Sequence, residues 1–296
     1  MSHPTQPESQ TLSNGTLSLS EVYNRLANAA TLNFINRSKR RSSENAGSDH
    51  AQSTRESGAE QEGSNTEDRI FRSDGEARSG TDSSSTEHDH ESPLFLAAIV
   101  TCMDGRLNPQ EDFAGSGGKL YYPRLAGAVI SPELLGSLEI AVKDPRFAYI
   151  VLLKHPECAA EAEAHRIHKT SEEISLDLQS VIAKITPAID DVASDAKIAC
   201  NSLALGVEAL LGNEAIAKKF KAGNLGIAGG FVQNEGHREA HRVEMFPLPQ
   251  NIKPDYDHIK NVVTKALSPA FELFPVFESL RNEPRIDQSR SYVANR

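Results

Sequence analysis

Residues 95–101 and 147–153 read as continuous apolar runs of strand length, and neither alternates polar with apolar side chains. A strand with one wet face must alternate. A run that stays apolar throughout fits a strand buried on both faces, as in a parallel sheet covered by helices on either side. Parallel neighbours need a long crossover between them, and the intervening sequence supplies one. Residues 120–125 read as a shorter strand. Pro132 then opens a helical stretch whose Leu134, Leu135, Leu138, Ile140, Ala141 and Val142 make an apolar face. Strand, helix, strand implies a right-handed parallel crossover. Beyond it, residues 159–169 read as helix, and more helix follows to about Leu211, interrupted near Pro187. Strands are predicted over 224–232 and 242–246, joined by the polar turn Asn234-Glu235-Gly236, and a last helix over 258–267. The fold class is α/β, a central, largely parallel sheet flanked by helices.

The rest of the chain has another texture. Of 296 residues only 38% are hydrophobic, and the mean hydropathy of −0.44 is polar for a single globule. Residues 42 to about 92 are rich in Ser, Glu, Asp, Gly and Thr with almost no large apolar side chain. Such a segment cannot bury enough surface to offset its ordering entropy and is expected to be disordered. The chain therefore divides into a low-complexity, mostly disordered N-terminal arm (1–92), an α/β domain (93–250) and a C-terminal extension (251–296). Within the arm, residues 24–41 carry Arg25, Arg37, Lys39, Arg40 and Arg41 and no acid, with Leu26, Leu32, Phe34 and Ile35 interspersed. That make-up suits a mitochondrial presequence. Because Glu8 and Glu21 precede it, an amphipathic N-terminal helix or solvated arm is the preferred reading.

A net charge of −10 argues against nucleic acid or an anionic membrane as partner. No apolar stretch approaches the roughly 18–20 residues that span a bilayer, and the N-terminus lacks the apolar core of a secretory signal. The 3 cysteines cannot build a disulfide framework. They suit a reducing compartment, so the cytoplasm is the expected location.

Two of those cysteines sit where the apolar runs end. Cys102-Met103-Asp104-Gly105-Arg106 follows the first run, and His155-Pro156-Glu157-Cys158 follows the second. In an open parallel sheet, functional groups gather beyond the carboxyl ends of the strands. If the two strands are neighbours, Cys102 and His155 arrive at one edge, with Cys158 in the first turn of the next helix, where unpaired N–H groups favour a thiolate. Two thiolates and one imidazole form a soft ligand set that selects zinc among common intracellular ions, although copper(I) and iron accept the same ligands. A structural zinc site wants four protein ligands; a catalytic one keeps a position open for water. Asp104 has two roles open to it: accepting a hydrogen bond from metal-bound water, or swinging onto the metal as fourth ligand. Arg106 offers a fork matched to a carboxylate and would hold Asp104 off the metal. Two thiolates cancel the charge of Zn²⁺, so bound water should ionise somewhat above the roughly 7 of a three-imidazole site.

These motifs resemble those of the β-class carbonic anhydrases. Thr101-Cys102-Met103-Asp104-Gly105-Arg106 is similar to the family's first zinc motif and His155-Pro156-Glu157-Cys158 to its second. Arg124-Leu125-Ala126-Gly127 resembles its Arg-Asn-Ala-Gly stretch, Ser137-Leu138-Glu139 falls where its next helix packs, and Leu225-Gly226-Ile227-Ala228-Gly229-Gly230 resembles a later strand. The resemblance covers roughly residues 94–246. It implies a β-carbonic anhydrase-like fold, Zn²⁺ on Cys102, His155 and Cys158, and Asp104 with Arg106 as a catalytic dyad. It further implies a homodimer or higher homo-oligomer, and reversible hydration of CO2 to bicarbonate and a proton by zinc-bound hydroxide. Departures are Ala159 for the usual Gly, Leu125 for Asn, Glu157 for Asp, and Pro156, which removes a backbone N–H near the metal. They bear on pocket shape and turnover. The alternatives are a hydrolase of carbonyl sulfide or carbon disulfide on the same fold, and a non-catalytic zinc-stabilised scaffold with Asp104 permanently on the metal.

Other signals are set aside. Gly115-Ser116-Gly117-Gly118-Lys119 lacks the phosphate-loop spacing and reads as a turn. His237-Arg238-Glu239-Ala240-His241 has its Glu one place late for a metalloprotease helix. His165 and His168 share a helix face and read as surface histidines, Cys200 as a core thiol, and Glu87-His88-Asp89-His90-Glu91 as part of a solvated linker.

Overall fold

The computed structural model describes residues 17–48, 94–189, 194–234 and 241–267. Met1–Lys39 with Pro93–Arg296 makes one compact unit and Arg40–Ser92 a second; the sheet lies in the first. Six strands are present among the described residues: β1 (Leu96–Cys102), β2 (Lys119–Tyr121), β3 (Arg124–Leu125), β4 (Phe147–Lys154), β5 (Gly226–Asn234) and β6 (His241–Pro247). They lie in the order β2-β1-β4-β5-β6, with β3 also pairing β1. Every pairing is parallel except that of β5 with β6.

Every residue of β1 and β4 is buried, which is why these strands stand out as unbroken apolar runs. Alternate side chains enter different cores. Ile150 and Leu152 pack with Leu134 and Leu138 of α3 (Pro132–Ala141), Leu203 and Val207 of α6 (Asp195–Gly212), and Ile216 and Phe220 of α7 (Glu214–Lys221). Tyr149, Val151 and Leu153 pack with Phe113 and with Val22, Leu26 and Ala30 of α1 (Leu19–Ser48). Each such fully buried large side chain contributes about 1.5–3 kcal/mol. Where β5 passes β4, a Cβ at Gly226 would stand 2.2 Å from the Tyr149 ring, so only glycine allows that approach.

Several sequence expectations are redrawn. The strand predicted over 120–125 is two strands: Pro123 has no N–H to donate, and β2 and β3 pair separate stretches of β1. Ile140 is 71% exposed and does not belong to the inward face of α3. The helical stretch broken near Pro187 resolves into α4 (Ala159–Thr170), α5 (Leu176–Ile185), a 3-10 turn at Thr186–Ala188, and α6. The Ser194 hydroxyl caps α6 by accepting from the Lys197 N–H at 3.3 Å. The short α2 (Pro109–Asp112) and the charged α7 had no predicted counterpart. The last helix, α8, begins at Tyr256 and ends at Leu267; its Ile259, Val263 and Leu267 are buried in the main core, so packing does not stop at residue 250.

The N-terminal arm holds an ordered helix. Ser18 and Glu21 cap α1 reciprocally: the Ser18 N–H donates to the Glu21 carboxylate at 2.7 Å, and the Glu21 N–H donates to the Ser18 hydroxyl at 3.3 Å. The helix is fastened to the domain by Tyr23, whose hydroxyl donates to the Met245 carbonyl at 2.7 Å. Asn33 donates to the carbonyls of Asp112 and Ala114, and Arg37 pairs with the Asp112 carboxylate. The rest of the segment expected to be disordered, with residues 87–91 and the predicted turn at 235–236, lies outside the described residues. Among the described residues no helix is long and apolar enough to cross a membrane.

Candidate metal centre

β1 and β4 are adjacent parallel strands, so their carboxyl ends deliver Cys102 and His155 to the same edge. Cys158 joins them as the residue that caps α4; it precedes the first turn rather than lying within it. The ligand atoms of Cys102, His155 and Cys158 all lie within 4.8 Å of one another, and all three residues are buried. The two sulfurs are 3.8 Å apart. A tetrahedral zinc with Zn–S bonds of about 2.3 Å sets its sulfurs about 3.8 Å apart. The His155 Nδ1–H donates to the Pro156 carbonyl at 2.9 Å, which leaves Nε2 as the atom available to bind, and that atom is buried and makes no hydrogen bond. A polar atom in that state is costly unless something coordinates it. Ligand types, sulfur spacing and the orphaned nitrogen together fit a zinc ion.

The two sulfurs lie within hydrogen-bond reach, and that contact holds the Cys102 thiol down at about 4 and pushes that of Cys158 up. Sequence reasoning favoured a thiolate at Cys158 through the helix N-terminus and left the metal to complete the deprotonation. Cys102 also accepts from the Gly127 N–H at 3.3 Å, whereas burial and the nearby Glu161 oppose charge on Cys158. Metal binding requires both to be deprotonated.

Asp104 stands beside the cluster. Its carboxylate accepts Arg106 Nε at 3.0 Å on Oδ1 and Nη2 at 2.7 Å on Oδ2, and the Arg106 backbone N–H at 2.9 Å on Oδ1. Those bonds hold its carboxyl down at about 2. Oδ2 lies 3.9 Å from His155 Nε2. Of the two arrangements open to Asp104, the structure holds the one with the carboxylate in the arginine fork rather than grouped with the ligand atoms. Arg106 is steadied by the Glu157 carbonyl at 3.1 Å. Arg124 donates to the carbonyls of Cys102 at 3.2 Å and Asp104 at 2.6 Å, bracing the segment between them.

Of the positions where the chain departs from the family pattern, Leu125 pairs with Cys102 through the backbone, and its carbonyl accepts the Met103 N–H at 3.1 Å. Glu157 takes a left-handed backbone at φ 55°, and Ala159 begins α4.

Sequence reasoning missed a buried ion pair behind the ligands. Lys154, the last residue of β4, is 2% exposed, and Glu161 in α4 is 5% exposed. Lys154 Nζ lies 3.8 Å from Glu161 Oε1 and donates to the Gly127 carbonyl and to the Ser202 hydroxyl at 2.7 Å. Burial pushes the lysine down and the glutamate up, and each opposes the shift of the other. A cavity of about 160 Å³ lies behind this pair, its lining including Lys154 and Ser202 but none of the three ligands. The signal available in the sequence was a lysine closing an otherwise apolar strand. Of the motifs set aside, Gly115 and Gly117 form a left-handed turn before β2, Cys200 is a buried core thiol, and His241 is buried against Asp112. His165 is half-buried and His168 exposed.

The sequence model described as "Carbonic anhydrase" matches residues 97–236. A carbonic anhydrase from Mycolicibacterium smegmatis is 30% identical over 93 residues, covering 31% of this chain and 45% of that protein. The chain thus matches about half the length of that curated relative. By these matches residues 97–236 are similar to carbonic anhydrases. Among solved structures, a tetrameric β-carbonic anhydrase from Sordaria macrospora is 18% identical with a TM-score of 0.43, over 52% of this chain and 82% of that one. The β-carbonic anhydrase CafA of Aspergillus fumigatus is 17% identical with a TM-score of 0.38, over 57% and 81%.

Proposed function

We propose that the chain is a zinc enzyme catalysing the reversible hydration of CO2 to bicarbonate and a proton. The observation that carries this reading is the buried His155 Nε2, which makes no hydrogen bond, beside two sulfurs at zinc spacing. Cys102, His155 and Cys158 would hold the zinc, which when bound supplies an acidified water as nucleophile. Asp104 is ionised at any working pH, and Arg106 holds it beside the ligands. There it is poised to accept a hydrogen bond from the nucleophile and orient it toward CO2. The fork between Asp104 and Arg106 favours catalysis over a scaffold whose fourth ligand is permanently Asp104. Charge on the metal is offset by two thiolates, so turnover should rise from neutral to mildly alkaline pH.

The decisive experiment is stopped-flow CO2 hydration with metal analysis on the same sample. The expected result is one zinc per chain and hydration that grows toward about pH 9. Cys102→Ala, His155→Ala and Cys158→Ala should each lose both zinc and hydration. A fully zinc-loaded protein with no CO2 hydration across that range would end this reading, and sulfide release from carbonyl sulfide would then identify the hydrolase alternative.

The functional form is proposed to be a homodimer or larger homo-oligomer. Leu32 and Ile35 on α1, and Leu94 and Tyr121 at the β2 edge, remain exposed and invite cover by a second copy. None of the three cysteines is in a disulfide, in keeping with the cytoplasm or another reducing compartment.

A further inference from the structure

The turn that carries Gly127 is unusual in its backbone. Gly127 has φ 63° and Ala128 has φ 49°, two left-handed residues in succession. The second is not glycine, and such a conformation persists only where the surroundings over-determine it. They do so here from both sides. On one side the Gly127 N–H donates to the Cys102 sulfur at 3.3 Å. On the other, the Gly127 carbonyl, in the peptide linking the two left-handed residues, accepts from Lys154 Nζ. Side-chain space at Gly127 is closed as well: a Cβ there would stand 3.0 Å from Ile185 Cδ1 and 3.4 Å from the Ala160 Cβ.

Lys154 is itself held by three elements. It ends β4 immediately before the ligand His155, donates to Ser202 of α6 at 2.7 Å, and faces Glu161 of α4 at 3.8 Å. Of the ammonium's three donors, Gly127 and Ser202 receive two, and the Glu161 carboxylate faces the charge at 3.8 Å. A buried charge so placed gives the turn a rigid anchor, whereas a lysine free to move would not.

We infer that Lys154 is a positioning residue of the metal centre. Anchored by Glu161 and Ser202, it clamps the Gly127 carbonyl and so fixes the Gly127 N–H on the Cys102 sulfur. The hydrogen bond withdraws electron density from a thiolate ligand and orients it, and groups one layer out from a metal typically alter its affinity about 10–100-fold. The inference rests on the metal-centre reading proposed above and adds residues to it that touch neither metal nor substrate.

The test uses the full chain loaded with cobalt(II), whose sulfur-to-metal charge-transfer band reports the electron density on the thiolates. The variant is Lys154→Met with Glu161→Gln, which removes both buried charges at nearly constant volume. Loss of the N–H···S bond should move the band to lower energy and raise the zinc dissociation constant about 10–100-fold in competition with a chelator. A folded double variant with an unmoved band and zinc affinity within about 2-fold overturns the inference alone. Absence of any thiolate band in the unaltered chain overturns the metal-centre reading and this inference together. Should the double variant fail to fold, Ser202→Ala removes one anchor without stranding a charge. The same shift of the band, smaller in size, is then expected, and its absence overturns the inference. The unaltered chain loaded with cadmium-113 gives a further readout. Scalar coupling between the metal and the Gly127 amide proton is expected, and its absence with the amide resolved overturns the inference.

Discussion

Arg106 does more at the metal centre than its 41% exposed side chain suggests. It grips both oxygens of Asp104, and in the proposed mechanism that grip would keep the carboxylate for the nucleophile rather than the metal. Arg106→Ala should therefore leave zinc content intact while lowering turnover by about 100-fold, the usual scale for misplacing a reacting group by an ångström. Metal analysis and stopped-flow hydration on the same preparation check it; unchanged turnover would remove Arg106 from the mechanism. The ligands and this pair were legible in the sequence because each lies within a short motif, and strand exits are where such motifs gather. Lys154 and Glu161 were not legible. Their meaning depends on Gly127 and Ser202, residues brought to them only by the crossover and by α6. The support given to Cys102 was not legible for a related reason: the Gly127 N–H that reaches its sulfur arrives from another element.

Among the elements, β1 and β4 were the most legible, since burial on both faces leaves an unbroken apolar run. α1 was the least. Its inward contacts fall on Val22, Leu26 and Ala30, a narrow stripe spaced by fours in a polar helix. Its hold on the domain depends on a few polar ties, of which the Tyr23 hydroxyl on the Met245 carbonyl is one. Tyr23→Phe should cost about 1 kcal/mol, the net worth of such a bond, measured by denaturant unfolding. Burial, reinforced by Glu244, pushes the Tyr23 hydroxyl up to about 12. Burial also pushes that of Tyr149, the ring it packs against, upward. For a phenol raised in the folded state, the unfolded chain releases its proton first. The stabilisation is thus fully present below about pH 10, the unfolded value, and is lost as pH rises toward about 12. Unfolding followed from pH 9 to 12 should show that loss, diminished in Tyr23→Phe. Identical alkaline limbs in the two proteins would mean that α1 is not held through this residue.

At the scale of the whole molecule, the three ligands come from the end of β1, the end of β4 and the cap of α4, so one ion would tie together elements otherwise joined by packing. Without it, the folded state must bury an imidazole nitrogen that makes no hydrogen bond, beside two closely spaced sulfurs. The unfolded chain does not, so zinc should bind the native state and raise its stability by mass action. At free zinc about 100 times the dissociation constant, the gain is about 2.7 kcal/mol. A domain of roughly 150–250 residues responds by about 2–4 °C per kcal/mol, so its Tm should rise by about 5–11 °C. Thermal unfolding in zinc and in excess chelator checks this, with Cys158→Ser as the control that should melt alike in both. If the unaltered chain also melts at the same temperature with and without the metal, the ion is not part of the native structure, and the site serves some other chemistry.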